Sequence, residues 1–210
     1  MDIPESVTEA VTAIFRDTFI LERSSYAPVV KSIRKLDNED LFRQYLDEKA
    51  RMQEIRKCPK VTFKTEHPLL QEFFNLDPDI NEALLFHGSS QGAVTSIATN
   101  GFDLKRARVG LFGRGAYFAD YSVKSDQYTA RDCSNVKYML VCRIIVGSPK
   151  KYLMQHNSHS SAPEFEVKKY DSILGIRPKG SKIIDSFREF IVFEDVKIYP
   201  DFVIEYTTAY

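Results

Sequence analysis

The chain has 210 residues, of which 43% are hydrophobic and 28% are charged, a composition typical of globular proteins. Lysine and arginine together number 29, as do aspartate and glutamate, so the formal net charge at pH 7 is zero. This balance excludes a general electrostatic attraction to nucleic acid or to an anionic membrane as the basis of its function.

The cysteines and the N-terminus predict where the protein resides. The three cysteines, Cys58, Cys133 and Cys142, form no Cys-x-x-Cys pair, which is typical of a reduced intracellular protein. The first six residues lack the apolar run of a signal peptide, and no apolar stretch is long enough to span a membrane. We therefore expect a protein of the cytoplasm or nucleus without a membrane partner. A monomer is the default expectation.

The first third of the chain predicts helices with a strand between them. Apolar residues recur on one face from residue 4 to about 19, which predicts a helix. Residues 26–36 are rich in valine and isoleucine and predict a strand. Asn38 is a favourable N-cap for a second helix that runs to about Arg56. Residues 61–74 predict an extended piece followed by a short helix.

The middle of the chain predicts a buried strand and two further helices. The apolar run 84–86 predicts a strand that presents residues 87–90 at its end. Residues 93–100 predict a helix that Gly101 terminates. Another helix is expected to begin at about Ser125.

The C-terminal part is dominated by strand signals. Residues 138–146 are strongly β-forming, and residues 190–193 and 202–204 predict two strands joined through Tyr199-Pro200. The polar segment 155–168 predicts a surface loop. Because helices come early and strands late, the sequence predicts an α+β fold with antiparallel sheet.

Residues 110–128 are rich in glycines and aromatic rings. Gly110, Gly113 and Gly115 allow tight turns or a close approach of the backbone to a ligand, and aromatic rings can offer flat faces to a flat ligand. A dinucleotide-binding fingerprint would need a third glycine where Phe118 stands. The sequence therefore does not support a Rossmann site.

Individual residues in and around these segments are candidates for chemistry, each with a structural alternative. His87 follows an apolar strand, where a histidine is either structural or part of a ligand site. Tyr117 and Tyr128 are either core aromatics or two rings that enclose an aromatic ligand, with Ser125 holding its polar edge. Glu189 opens an apolar strand, where a carboxylate is either solvated or buried and hydrogen-bonded.

Six segments of the chain share the order and spacing of a known catalytic domain. They are 87–89 (His-Gly-Ser), 101–103 (Gly-Phe-Asp), 112–120 (Phe-Gly-Arg-Gly-Ala-Tyr-Phe-Ala-Asp), 124–128 (Lys-Ser-Asp-Gln-Tyr), 170–175 (Tyr-Asp-Ser-Ile-Leu-Gly) and 189–193 (Glu-Phe-Ile-Val-Phe). Together they resemble the PARP-type, diphtheria-toxin-like ADP-ribosyltransferase catalytic domain. The family's His-Tyr-Glu triad falls on His87, Tyr117 and Glu189.

The resemblance implies one catalytic domain over residues 1–210, with a lead-in at 1–79 and an NAD-binding core at 80–206. It also implies the ADP-ribosyltransferase fold, in which two packed, mainly antiparallel sheets are flanked by helices and the NAD cleft lies between the sheets. One branch of the family has a zinc-binding loop where residues 129–137 stand here. These residues contain only Cys133, so we expect no metal.

The resemblance also assigns roles toward NAD, which would be the co-substrate. His87 would bind the adenosine-side ribose, with Ser89 nearby, and the backbone of Gly88 would pair with the nicotinamide carboxamide. Arg106 or Arg108 would lie near the pyrophosphate.

The nicotinamide end would be held by the remaining candidates. Tyr117 and Tyr128 would enclose the ring, and Ser125 would bond to its carboxamide. Glu189 would bond to the ribose 2′-hydroxyl and place a negative charge beside the cation that develops as nicotinamide leaves.

The implied activity is transfer of ADP-ribose from NAD to protein side chains, those of the chain itself included, with release of nicotinamide. Glu189 permits elongation to poly(ADP-ribose) without requiring it, and polymer is the product that we expect. Single-unit transfer, NAD hydrolysis and a catalytically silent binding module stay open as alternatives. We expect no nucleic-acid-binding module.

Overall fold

Two four-stranded sheets form the framework of the protein. The computed structural model describes residues 3–19, 27–55, 57–107, 109–153, 169–176 and 187–209. The predicted surface loop 155–168 lies outside the described residues, as does Arg108.

The first sheet is antiparallel throughout. Its strands lie in the order β1 (Ala27–Lys35), β10 (Ile198–Ala209), β6 (Lys137–Ile145) and β2 (Glu82–Ser89). β6 is buried along its whole length, because it is apolar at most positions and lies between two other strands. β2 forms one edge of this sheet.

The second sheet has the order β5 (Ala116–Phe118), β9 (Glu189–Val192), β8 (Ser172–Ile176) and β7 (Pro149–Leu153). Its neighbours are antiparallel except for β7 and β8, which run parallel. A small hairpin of β3 (Val109–Gly110) and β4 (Gly113–Arg114) precedes β5. The two sheets meet where Phe86 and Ala119 exchange backbone hydrogen bonds of 2.8 and 3.0 Å.

Helices flank this framework. They are α1 (Glu5–Asp17), α2 (Glu39–Ile55), α3 (Pro68–Phe73), α4 (Gln91–Asn100) and α5 (Ser122–Asp126), with short 3-10 turns at Pro78–Ile80, Leu104–Arg106 and Asp195–Lys197. Within the described ranges, no helix combines the length and the apolar character needed to cross a bilayer.

Side-chain alternation along β2 divides the core into two layers. Leu84 and Phe86 pack with the apolar face of α1. Ala83 and Leu85 pack instead with residues of the second sheet. His87 follows the same alternation as Ala83 and Leu85, so its side chain lies on the side of the second sheet.

The predicted α+β fold with two packed, mainly antiparallel sheets is confirmed. The predicted helix start at Asn38 is confirmed as well, because its side-chain oxygen accepts a 3.1 Å hydrogen bond from the N–H of Leu41.

Three predicted boundaries are wrong. β2 does not end before His87, because residues 87–89 pair with residues 138–140 of β6. α5 begins at Ser122 rather than at Ser125. The Tyr199-Pro200 pair does not join two strands but lies within β10, where a bulge after the proline accommodates it.

Candidate active site

The outer edge of β2 offers backbone hydrogen-bonding groups to a ligand. In an antiparallel pair, the N–H and C=O groups of every second residue point to the same side of the strand. Phe86 directs both groups away from β6 and toward Ala119. Gly88, two residues later, therefore directs its N–H and C=O to the same side, just beyond the point where the sheets meet. A planar carboxamide can bond to both groups at once.

Helix α5 lies so close to this edge that only glycine fits at position 88. A Cβ atom on Gly88 would lie 1.9 Å from the carbonyl oxygen of Ser125 and 2.9 Å from Cγ2 of Thr129. The hydroxyl of Ser125 donates a 2.9 Å hydrogen bond to the carbonyl of Phe86, which ties the helix to β2. The structure thus brings together Gly88 and Ser125, the two residues predicted to hold one carboxamide.

His87 and Tyr117 are also brought together. Nδ1 of His87 lies 2.8 Å from the carbonyl oxygen of Tyr117, and because a carbonyl only accepts, Nδ1 carries the proton. The imidazole packs against the rings of Phe102 and Phe118. Burial lowers the pKa of His87 from its usual 6.5, against the opposing effect of the hydrogen bond to Tyr117. The imidazole is therefore neutral near pH 7, and its Nε2 can accept a hydrogen bond from a ligand hydroxyl.

The lowered pKa of His87 predicts a pH-dependent stability. The unfolded chain, with a histidine pKa near 6.5, binds this proton more readily than the folded chain does. The free energy of unfolding should therefore fall as the pH is lowered below about 6.5. Urea unfolding at about pH 7.5 and pH 5.5 checks this. His87→Gln should show a smaller loss between the two conditions, and an equal loss in both proteins would refute the assignment.

The hydroxyl of Tyr117 fixes the hairpin that precedes β5. It accepts a 2.8 Å hydrogen bond from the N–H of Phe112 and donates one of 2.8 Å to the carbonyl of Gly113. Gly110 lets the hairpin approach the ring, since a Cβ atom there would lie 2.6 Å from it. Tyr117 is therefore fixed at two points. Its backbone carbonyl bonds to His87, and its hydroxyl bonds to the backbone of the hairpin.

Glu189 is a buried carboxylate where β9 begins. Its side chain is 4% exposed, so of the two alternatives left open by the sequence the buried one is found. The hydroxyl of Tyr128 donates a 3.2 Å hydrogen bond to Oε1 of Glu189. The ammonium group of Lys124 lies 3.7 Å from the same oxygen. Tyr128 and Glu189, predicted for the same end of NAD, are therefore in contact.

Lys124 is a candidate functional residue that the sequence analysis did not assign. Its side chain is 2% exposed, and its ammonium group donates a 3.0 Å hydrogen bond to Gln127 besides facing Glu189. A buried ammonium is costly unless it is paired with an anion, so the pair orients Glu189. No local signal in the sequence identifies it, because its partner Glu189 lies on β9, far along the chain.

A second ion pair fixes the entry to β9. Arg188 contacts the buried Asp120 at 2.5 Å, and Asp120 also accepts a 3.0 Å hydrogen bond from the N–H of Lys64. Because Arg188 directly precedes Glu189 and Asp120 follows β5, this pair joins the two strands at the end where Glu189 lies.

Two further predicted site residues lie at the margin of this arrangement. The side chain of Arg106 is 85% exposed and pairs with Asp103 at 3.0 Å. Ser89 is the last residue of β2 and is half-buried beside Gly88. The predicted role of Arg106 at the pyrophosphate stays a prediction, and so does the position of Ser89 near the adenosine ribose.

A cavity of about 550 Å³ lies elsewhere, lined by residues between Lys60 and Leu84. None of the predicted site residues lines it. The groups with candidate chemistry converge instead at the corner where the two sheets meet.

That corner can support cleavage of a glycosidic bond. It combines a backbone edge for a carboxamide, a neutral imidazole and a buried carboxylate. A fixed carboxylate stabilises the positive charge that develops on a sugar carbon as its bond to a leaving group breaks. Across the described ranges, no cluster of three or more His, Cys, Asp or Glu side chains is arranged to hold a metal ion.

The chain is similar in sequence to known proteins. The profile of the family described as "Poly(ADP-ribose) polymerase catalytic domain" matches residues 9–208. Protein mono-ADP-ribosyltransferase PARP11 of Mus musculus is 24% identical over 203 residues, which cover 84% of this chain and 52% of its own length. Its Homo sapiens counterpart is 23% identical over 203 residues, with 84% and 51% covered.

A second relative is longer. Protein mono-ADP-ribosyltransferase PARP12 of Mus musculus is 26% identical over 187 residues, which cover 86% of this chain and 22% of its own length. The chain thus spans about half the length of the first relatives and less of the second.

Proposed function

This chain belongs to the poly(ADP-ribose) polymerase catalytic domain family, and from that premise we propose that it transfers ADP-ribose from NAD to protein side chains and releases nicotinamide. The relatives are named as protein mono-ADP-ribosyltransferases. Because the chain spans only part of their length, their activity is carried over here as a proposal.

One observation carries the proposal: helix α5 contacts both Gly88, through the carbonyl of Ser125, and the buried carboxylate of Glu189, through Lys124. Two-point bonding of a carboxamide by Gly88, with Ser125 alongside, would fix the plane of nicotinamide. Glu189 would then stand on the side of the ribose, where it can accept a hydrogen bond from the 2′-hydroxyl. The neutral Nε2 of His87 is suited to accept a hydrogen bond from the other ribose.

The reaction follows from these positions. The bond between the nicotinamide nitrogen and the ribose carbon breaks, and its electron pair leaves with nicotinamide, which departs neutral. The sugar gains oxocarbenium character, and the carboxylate of Glu189 stabilises this charge. An acceptor oxygen or nitrogen then bonds to the sugar carbon, and its proton passes to a base, a role for which Glu189 is the candidate.

The length of the product is a separate question. The names of the relatives favour transfer of single ADP-ribose units, and that is the product we propose first. Elongation is the second candidate, favoured by the acidic side chain of Glu189, which can bond to an incoming ribose hydroxyl as well as to NAD. The expected polymer therefore stays a prediction.

The partners in this proposal are protein acceptors, with the chain itself among them. Two other functions use the same site. NAD hydrolysis shares the first bond-breaking step and has water as the acceptor. A silent binding module would bind NAD without breaking the bond, and the presence of His87, Tyr117 and Glu189 together disfavours it.

The experiment is incubation of the chain with NAD labelled in its adenosine part, followed by measurement of nicotinamide, free ADP-ribose and protein-bound label. We expect nicotinamide release matched by protein-bound label, and a loss of about tenfold to a hundredfold in kcat/KM for His87→Ala. Release matched only by free ADP-ribose would establish hydrolysis. No release from the wild type, with NAD still bound, would establish the binding module.

A further inference from the structure

Helix α1 ends against the first turn of α5, the helix that carries Lys124 and Ser125. The first N–H groups of a helix have no partner within it and must find one elsewhere. α5 does not cap itself, since the side chain of its N-cap residue, Tyr121, accepts no hydrogen bond from it. The hydrogen-bond acceptors for the first N–H groups of α5 must therefore come from another part of the fold.

Thr18, at the end of α1, supplies them from 104 positions away. The N–H of Ser122 donates a 3.1 Å hydrogen bond to the Thr18 hydroxyl, and the N–H of Val123 donates one of 3.3 Å to the Thr18 carbonyl. The hydroxyl of Ser122 donates a 2.7 Å hydrogen bond to the carbonyl of Phe15 in α1. Thr18 is 3% exposed and Ser122 is 0% exposed, so water has little access to replace these bonds.

We propose that Thr18 is a positioning residue for the NAD site, which it serves by capping α5. The inference rests on the proposed function. Few residues separate the cap from β2. Ser125 follows Ser122 by one turn, and the carbonyl and hydroxyl of Ser125 contact Gly88 and Phe86 on β2. The N-terminal helix thus sets where α5 lies over the edge that would bind the carboxamide.

The other end of α5 has an independent anchor on the first sheet. Asp126 accepts a 2.7 Å hydrogen bond from the ammonium group of Lys137 and one of 2.6 Å from the hydroxyl of Tyr206. With Asp126 fixed, loss of the cap leaves the helix attached but frees its first turn, residues 122–125, in which Lys124 faces Glu189 and Ser125 contacts β2. The expected effect is therefore on the site rather than on the whole fold.

Three variants of the full chain separate positioning from general stability. Thr18→Val keeps the shape of the side chain and removes the hydroxyl, whereas Thr18→Ser keeps the hydroxyl. Thr12→Val is the matched control, because the Thr12 hydroxyl donates a 2.8 Å hydrogen bond within α1, to the carbonyl of Thr8. The measurements are amide hydrogen exchange across residues 121–128, KM and kcat for NAD, and binding of nicotinamide alone.

We expect Thr18→Val to speed exchange of the Ser122 amide about tenfold and to raise KM for NAD by a similar factor. Thr18→Ser and Thr12→Val should stay within about twofold of the wild type. Unchanged exchange of the Ser122 amide in Thr18→Val would show that Thr18 does not cap α5. Faster exchange with unchanged KM for NAD and unchanged nicotinamide binding would show that the cap does not position the site. A wild type that releases no nicotinamide would count against the proposed function alone. The positioning role of Thr18 is then tested by whether Thr18→Val binds nicotinamide more weakly than the wild type does.

Discussion

Glu189→Gln is expected to slow nicotinamide release by a factor of about a hundred to a thousand. Glutamine keeps the shape of the side chain but removes the negative charge that would stabilise the developing cation. It also removes the carboxylate that lies 3.7 Å from the buried ammonium group of Lys124. Removing one partner of a buried ion pair is strongly destabilising, because the other charge stays buried. The rate is measured by the release of labelled nicotinamide, and the folded state is checked by thermal unfolding.

Glu194→Gln is the matched control, since it removes a carboxylate five residues later in the chain. Glu194 pairs with Lys197 at 2.5 Å and its side chain is 48% exposed, so its loss should change the rate by less than about twofold. Gels of the same reactions, run with NAD labelled in its adenosine part, report the product. A ladder of wild-type products that collapses to one band in Glu189→Gln would establish elongation, and one band in both would establish single-unit transfer. Equal rates of nicotinamide release in wild type and Glu189→Gln would rule out the role given to the carboxylate.

Gly88→Ala is expected to abolish binding of nicotinamide and to reduce stability by about 1–3 kcal/mol. The added Cβ atom would lie 1.9 Å from the carbonyl oxygen of Ser125. Because that oxygen belongs to the backbone of α5, no change of rotamer can remove the clash, and the helix must move away from β2. Nicotinamide affinity is measured by calorimetry and stability by urea unfolding.

Gly92→Ala is the control for this substitution. Nothing lies within 4 Å of the position that a Cβ atom on Gly92 would occupy, and Gly92 lies in α4, where alanine is favoured over glycine by about 0.5–1 kcal/mol. We expect unchanged binding and equal or higher stability. Tight nicotinamide binding by Gly88→Ala would mean that the carboxamide lies elsewhere.

Local signals in the sequence predicted much of the fold. Asn38 was identified as a helix start because the signal, a side chain that bonds to the N–H three residues on, is local. The apolar alternation and β-branched runs located β1 and β6 to within about a residue or two. The triad was located by resemblance, since no single position carried a strong signal of its own.

What the sequence could not show depends on distant partners. β2 runs through His87 to Ser89 because those residues pair with β6, about 50 positions later. α5 starts at Ser122 because Thr18 caps it, and no residue near Ser122 in the sequence indicates that cap. Lys124 was passed over for the same reason, since its partner Glu189 lies on a strand far along the chain.

A crystal structure of the chain bound to an NAD analogue whose nicotinamide bond does not break would locate the ligand directly. We predict the carboxamide on the backbone of Gly88 with the hydroxyl of Ser125 alongside, and the ring between Tyr117 and Tyr128. The ribose 2′-hydroxyl should lie within hydrogen-bonding distance of Glu189. An analogue found in the cavity between Lys60 and Leu84, or bound with its ribose away from Glu189, would contradict the account.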